Sequence, residues 1–252
     1  MISNNKSRNQ FSFSIILIKQ HQVLILYLFF NISDNMPLRV AIIGLSASAI
    51  TSWAADAHLP CLLTPEGLER FTIVALCNSS EKAAKEAIRA YKLPQQVKAY
   101  GDPQELANDP DVDFVLCNTR VDKHLATILP SIQANKHVYI EWPIAASKEE
   151  IQQLVDASKA SSGKTLIGLQ GRWAPPVTKV AEVIDRGAIG KVLSSNVTAF
   201  GGSRDREILP IGLKYFAQRH VGGNPITIGV GHGKLATIDI LKTELIAFMF
   251  SY

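Results

Sequence analysis

Short apolar runs separated by helical periodicity constrain this chain more than any other feature in it. RVAII (39–43), FTIVALC (71–77), DVDFVLC (111–117), HVYI (137–140) and TLIGLQ (165–170) are all of strand length, and each is apolar over most of its length rather than alternating. A strand without a polar face must be covered on both sides. Between these runs the spacing predicts helices over 54–63, over 81–91 with Ala84, Ala87, Ile88 and Tyr91 on one face, and over 123–135. A capping box, Ser147 with Glu150, opens another that ends near Ser161. Pro175-Pro176 start a further helix, with Val177, Val180, Val183 and Ile184 inward and Gly187 as its left-handed cap. Strands alternating with crossover helices predict an α/β fold: a doubly wound parallel sheet over 36–165, followed by a truncated second α/β domain over 166–252 that includes a strand at KVLSSNVTAF (191–200).

The first strand runs into Gly44-Leu45-Ser46-Ala47-Ser48-Ala49. A Rossmann dinucleotide fold carries G-x-G-x-x-G here, so that main-chain amides can approach a pyrophosphate. Only the first glycine is present, with Ser46 and Ala49 at the other two positions. Taken alone the turn is equally an ordinary strand-to-helix connection; its place in the alternating pattern makes it a candidate phosphate loop. The second strand ends in Cys77-Asn78-Ser79-Ser80, where an acidic residue would hold the adenosine ribose of NAD. With no carboxylate there to repel a 2′-phosphate, and with Lys82 one turn on, the cofactor reads as NADP or NAD with a lean to NADP. The same residues also read as the cap of the next helix.

The composition excludes several classes. The 252 residues are 47% hydrophobic, with a formal charge of +4 and no cluster of five or six basic residues, which leaves no nucleic-acid footprint. Cys61, Cys77 and Cys117 lie in apolar surroundings without metal-like spacing, and read as reduced, packed thiols of an intracellular protein. His58 and His137 have no Cys, Asp or Glu at ligand spacing, so no metal site is expected. Before Met36, FSFSIILI and VLILYLFF are separated by Lys19-Gln20-His21-Gln22. A charge at mid-bilayer costs about 2.5–3.5 kcal/mol. Residues 1–35 read as upstream sequence outside the fold, with a membrane anchor or a cleaved targeting segment as alternatives.

AIIGLSAS, VLCNTRVDKHLA, EWP, RGAIGKV and their order resemble the glucose–fructose oxidoreductase / inositol dehydrogenase (Gfo/Idh/MocA) family over about residues 36–232. GLSAS followed by Trp53 and His58-Leu59-Pro60, together with EWPIA and LQGR, is most similar to the branch of the fungal galactose-pathway repressor. The resemblance implies a Rossmann domain followed by an α/β substrate domain. It implies that Gly44, Ser46 and Ala47 line the pyrophosphate, with Asn78 at the end of the second strand on the cofactor side. It places Cys117, Asn118 and Thr119 beside the nicotinamide ribose, with His124 supporting their loop. Glu141 and Pro143 match the first and last residues of the family's E-K-P, Gln170 and Arg172 face the substrate or partner cleft, and His232 matches a histidine on the substrate side.

In the family, a lysine in E-K-P and an Asp–His pair four residues apart manage the proton of the substrate hydroxyl. Here Trp142 and Ile228 stand at the lysine and aspartate positions, leaving His232 as the surviving catalytic candidate. General acid–base catalysis contributes about 10²–10⁴-fold, so its loss impairs turnover while leaving nucleotide binding intact. Trp142 reads either as a platform beside the nicotinamide or as a core aromatic at the sheet edge. Three functions follow: a nucleotide-sensing, transcriptional-regulator-like protein with a regulatory protein partner; an NAD(P)-dependent oxidoreductase of a sugar or polyol; or a non-functional fragment. The first two place it in the cytoplasm or nucleus, as a homodimer if the second domain is complete. After GVGH the family pattern fades into GKLATIDIL, read either as translated intron or as a displaced native continuation.

Overall fold

β1 (Leu38–Ile43), β2 (Phe71–Cys77), β3 (Lys98–Tyr100), β4 (Phe114–Cys117), β5 (His137–Glu141) and β6 (Thr165–Gly168) form one sheet in the order β3-β2-β1-β4-β5-β6. All five pairings are parallel. The computed structural model describes residues 37–49, 51–200, 211–224, 226–232 and 247–251. The expectations for residues 1–35 and for GKLATIDIL lie outside them. The strand order reverses between β1 and β4, and open α/β sheets bind ligands beyond the carboxyl ends of their strands at such a point.

The apolar runs are strands because both faces of the sheet are covered. Val40, Ile42, Leu76, Phe114, Leu116 and Tyr139 point to one core, and Ala41, Ile43, Ala75, Cys77, Val115, Val138 and Ile140 to the other. Fully burying a large apolar side chain is worth about 1.5–3 kcal/mol. Four of the helices between strands start where a short polar side chain takes a free amide. α1 opens as a wide π turn, Ala54–His58, and continues through Leu59–Leu62. α2 (Pro65–Arg70), α3 (Glu81–Ala90) and α4 (Pro103–Ala107) are capped by Thr64, Ser80 and Asp102. α5 is His124–Gln133 and α6 is Lys148–Ala160. Ser147 accepts from the Glu150 amide at 3.2 Å, and Glu150 reaches back to the Ala146 amide at 2.9 Å, which is the predicted box shifted by one donor.

At the opposite end of the sheet an ionic network sets where β4 begins. Arg39 donates through its main-chain amide and Nε to Asp113 Oδ2 at 3.0 and 2.9 Å, and through a terminal nitrogen to Oδ1 at 2.8 Å. Lys98 bridges Asp109 and Asp111, and Lys136 donates to the carbonyls of Asp109 and Val112. These contacts consume residues 109–113 as a turn, so the strand expected over 111–117 starts at Phe114. The bonds from Arg39 hold the Asp113 carboxyl below the usual carboxylate range. A carboxyl depressed in the folded state contributes stability that is complete above its unfolded pKa of about 4 and is lost as pH falls through the lower folded value. The urea midpoint should therefore decline below about pH 4, and Asp113→Asn should flatten that decline.

The chain divides into two compact units between Gly168 and Leu169. In the second, α7 (Pro175–Asp185) follows a 3₁₀ turn at Gln170–Trp173, and β7 (Asn196–Phe200) pairs in parallel with β8 (Ala247–Ser251). Two expectations are corrected here. Val177, Val183 and Ile184 are only half-buried and Val180 is 51% exposed, so the four-residue inward face of α7 is not closed within the described residues. The strand read over 191–200 is confined to its last five residues. Gly187 and Gly190 both take positive φ just before it, and Leu193 is 89% exposed, so among the described residues this part of the run lacks the apolar cover that would hold Leu193 in a strand.

Candidate nucleotide-binding site

The ladder continues one residue past the strands at the reversal point. Gly44 N donates to Cys77 O at 3.0 Å, and Asn118 N donates to Ile43 O at 2.9 Å. Gly44 has φ +96, and a Cβ there would stand 2.9 Å from the carbonyl carbon and oxygen of Asn118. Only glycine fits both the dihedral and the approach. Leu45 is fully buried, which anchors the turn, while Ser46 is half-exposed and Ala47 exposed at its crest. Two side chains clamp it from the α3 side: Asn78 Nδ2 donates to Leu45 O at 2.8 Å and Tyr91 OH donates to Ser46 O at 3.0 Å. Asn78 therefore holds the loop in place, and Ser80 caps α3, as the capping reading of this segment expects.

Beside the turn, β4 delivers Cys117, Asn118 and Thr119. The Cys117 side chain is fully buried against the Thr119 and Thr127 hydroxyls, and burial pushes its thiol pKa up. What Cys117 brings to the edge is main chain. Asn118 is different: both polar atoms of its amide are buried without a hydrogen-bond partner. An unpaired buried amide is unfavourable in the protein alone and points to a ligand's polar groups. His124, 1% exposed, donates from Nε2 to Thr119 O at 2.8 Å, and its burial lowers its pKa and keeps the ring neutral. It secures the loop from below.

The next carboxyl end carries Glu141-Trp142-Pro143, with a cis bond between Trp142 and Pro143. Trp142 is half-buried and packs against the core that contains Ile144, Ala145 and Leu154. The Glu141 carboxylate, 8% exposed, bonds through Oε1 to Nε2 of His58, itself 3% exposed. Sequence reasoning used His58 to mark the family branch and set it aside as a metal ligand, without pairing it with Glu141; among the described residues no group of three metal-binding side chains occurs. The signal that could have found the pair is a histidine inside the helix that follows the glycine turn, at the end of its opening π turn. Tyr91 packs against the core with the rest of its helix face, as expected, and its hydroxyl also clamps the turn, which the sequence reading missed.

In the second unit, Gln170 and Arg172 lie on the 3₁₀ turn, and Gln170 Oε1 is buried without a partner. Ile228 is inside a π turn, Ile226–Val230, started by Asn224, whose Oδ1 accepts from the amides of Ile226 and Thr227 at 2.9 and 3.0 Å. His232 follows it. Among the described residues no helix is long and apolar enough to cross a membrane.

A sheet reversing beside a glycine that no side chain can replace, flanked by an unpaired amide, defines a dinucleotide-binding protein. Residues 38–168 match the model of the Gfo/Idh/MocA family, described as an oxidoreductase family with an NAD-binding Rossmann fold. The chain belongs to this family. It is 31% identical over 201 residues to the dehydrogenase aclE of Aspergillus oryzae, covering 77% of this chain and 52% of that one. It is 28% identical over 219 residues to the galactose/lactose metabolism regulatory protein GAL80 of Kluyveromyces lactis, covering 84% and 46%. The crystal structure of the transcriptional regulator Gal80p from K. lactis superposes with a TM-score of 0.70 at 25% identity, over 82% of this chain and 51% of that one. The chain thus spans about half the length of these relatives.

Proposed function

We propose that this protein senses a nicotinamide nucleotide and passes its occupancy to a regulatory protein partner, rather than turning the nucleotide over. The observation that carries this reading is Trp142. The position after Glu141, at the carboxyl edge of β5, bears an indole, whose N–H does not titrate in the range of general acid–base catalysis, and the preceding carboxylate is already engaged by His58. Ile228 supplies no second base. The residues that would hold the nucleotide remain: the Gly44 turn with Ser46 and Ala47 for the pyrophosphate, and Asn118 and Thr119 for the nicotinamide ribose. A bound nucleotide supplies the hydride-carrying ring; the chain orients it and excludes water. With Asn78 in place of an acidic residue, NADP is favoured over NAD. The galactose regulator among the relatives supports a fungal source and action in the cytoplasm or nucleus.

A second reading is an NAD(P)-dependent oxidoreductase of a sugar or polyol, with His232 as its base, favoured by the dehydrogenase relative at 31% identity. Titration with NADPH and NADH, following energy transfer from tryptophan to the nicotinamide, separates the two. Saturable transfer is expected, and its fall in Trp142→Phe assigns the share due to Trp142, since Trp53 and Trp173 also emit. No steady NADPH production is expected across a sugar and polyol panel with NADP. Sustained turnover establishes the enzyme instead, and a folded protein that binds neither nucleotide defeats both readings.

A further inference from the structure

His58 and Glu141 are 83 residues apart in sequence and meet in the core. His58 is the last residue of the π turn that opens α1, the helix entered directly from the Gly44 loop. Glu141 is the last residue of β5, next to Trp142. The imidazole also stands edge-on to Tyr139, with ring centroids 5.2 Å apart at 73°. Glu141 pairs in register with Gly168 of β6, and a Cβ on Gly168 would fall 2.6 Å from Glu141 Oε2 and 2.7 Å from the Tyr139 hydroxyl. The carboxylate is therefore held at one oxygen by His58 and seated at the other over a glycine that makes room for it.

We infer that His58 is a positioning residue for Trp142: through Glu141 it ties the helix that follows the glycine turn to the end of β5, and so sets where the indole stands relative to a nucleotide on that turn. This rests on the reading of Trp142 as a nucleotide-facing platform. A buried polar pair is a poor choice for stability alone, since apolar residues of similar volume commonly do as well or better. What such a pair offers is one fixed geometry, because each partner has a single low-energy place for its polar atoms. Here that geometry joins the two segments that the nucleotide must bridge. A π turn places His58 Nε2 within reach of β5; single wide turns of this kind recur at functional sites.

The full chain, labelled with 5-fluorotryptophan, gives one fluorine signal each for Trp53, Trp142 and Trp173, with Trp142→Phe assigning the second. In the nucleotide-free protein, His58→Leu is expected to displace the Trp142 signal by more than its linewidth and leave the Trp173 signal in place. His58→Gln, whose side-chain amide can donate to Glu141, should restore the parent position. NADPH affinity should fall at least about tenfold in His58→Leu and recover in His58→Gln, in line with a lost hydrogen bond to a charged group. If His58→Leu leaves Glu141 stranded and unfolded, the double variant His58→Leu/Glu141→Met removes both partners, buries no unpaired charge and carries the same test. A Trp142 signal unmoved in either folded variant overturns the inference. A parent protein that binds no nucleotide overturns the sensing function, while the fluorine signal still decides whether His58 positions Trp142.

Discussion

Replacing Gly44 with alanine is expected to abolish nucleotide binding and to lower stability by about 2–3 kcal/mol. Two effects combine at this residue. Its φ of +96 is a conformation that side chains rarely adopt, and the added Cβ would meet the Asn118 carbonyl group at 2.9 Å. The obstacle is main chain, so a rotamer change cannot relieve it. β1 and β4 must part, or the turn must rotate. Either movement breaks the bonds from Gly44 N to Cys77 O and from Asn118 N to Ile43 O that align the two strand ends. Gly187→Ala separates the two effects. That residue also has positive φ, at +67, but nothing lies within 4 Å of its Cβ position. It should lose only the dihedral term, about 1 kcal/mol, and bind NADPH as the parent does. Urea unfolding and NADPH titration of both variants check this; equal losses in the two would mean that strain alone explains Gly44.

Most of the first unit was legible because its strands bury both faces. FTIVALC is apolar at every position but Thr72, and its predicted bounds are the observed ones for β2. Where a run carried charge the reading overshot: DVDFVLC looks continuous, but Asp113 serves Arg39 and Asp109 serves Lys98, and a carboxylate committed to a network ends the strand. β3 and α4 escaped notice because three strand residues and five helix residues are too short for any period to emerge. The glycine turn was recognisable as a motif, and its chemistry followed. The clamps were not, since Asn78 to Leu45 and Tyr91 to Ser46 join residues 33 and 45 positions apart. His58 and Glu141 were each visible, but their pairing depends on a π turn and on the register of β5, which no local pattern encodes. Membership of the Gfo/Idh/MocA family was carried by the order of several weak motifs, and the match over residues 38–168 covers the segment where those motifs lie densest.

Asn118→Leu should make the protein more stable and worse at binding. The Asn118 amide has both polar atoms buried and unpaired, and leaving a buried donor or acceptor unsatisfied costs about 1–3 kcal/mol. Leucine copies the branched outline of asparagine and removes that penalty, while the main-chain bond from Asn118 N to Ile43 O is untouched. The urea midpoint should rise, corresponding to a gain of about 1–3 kcal/mol. NADPH affinity should fall by about tenfold or more, because the donor and acceptor that a ribose or carboxamide would use are gone. The two changes have opposite signs, which separates a ligand-directed amide from a structural one. A structural asparagine would lose stability on substitution and take binding down with it through the fold. A polar group kept in a place where a hydrocarbon would hold the fold better is kept for what binds there, and here it stands beside Gly44, whose added Cβ would meet the main chain of Asn118 itself.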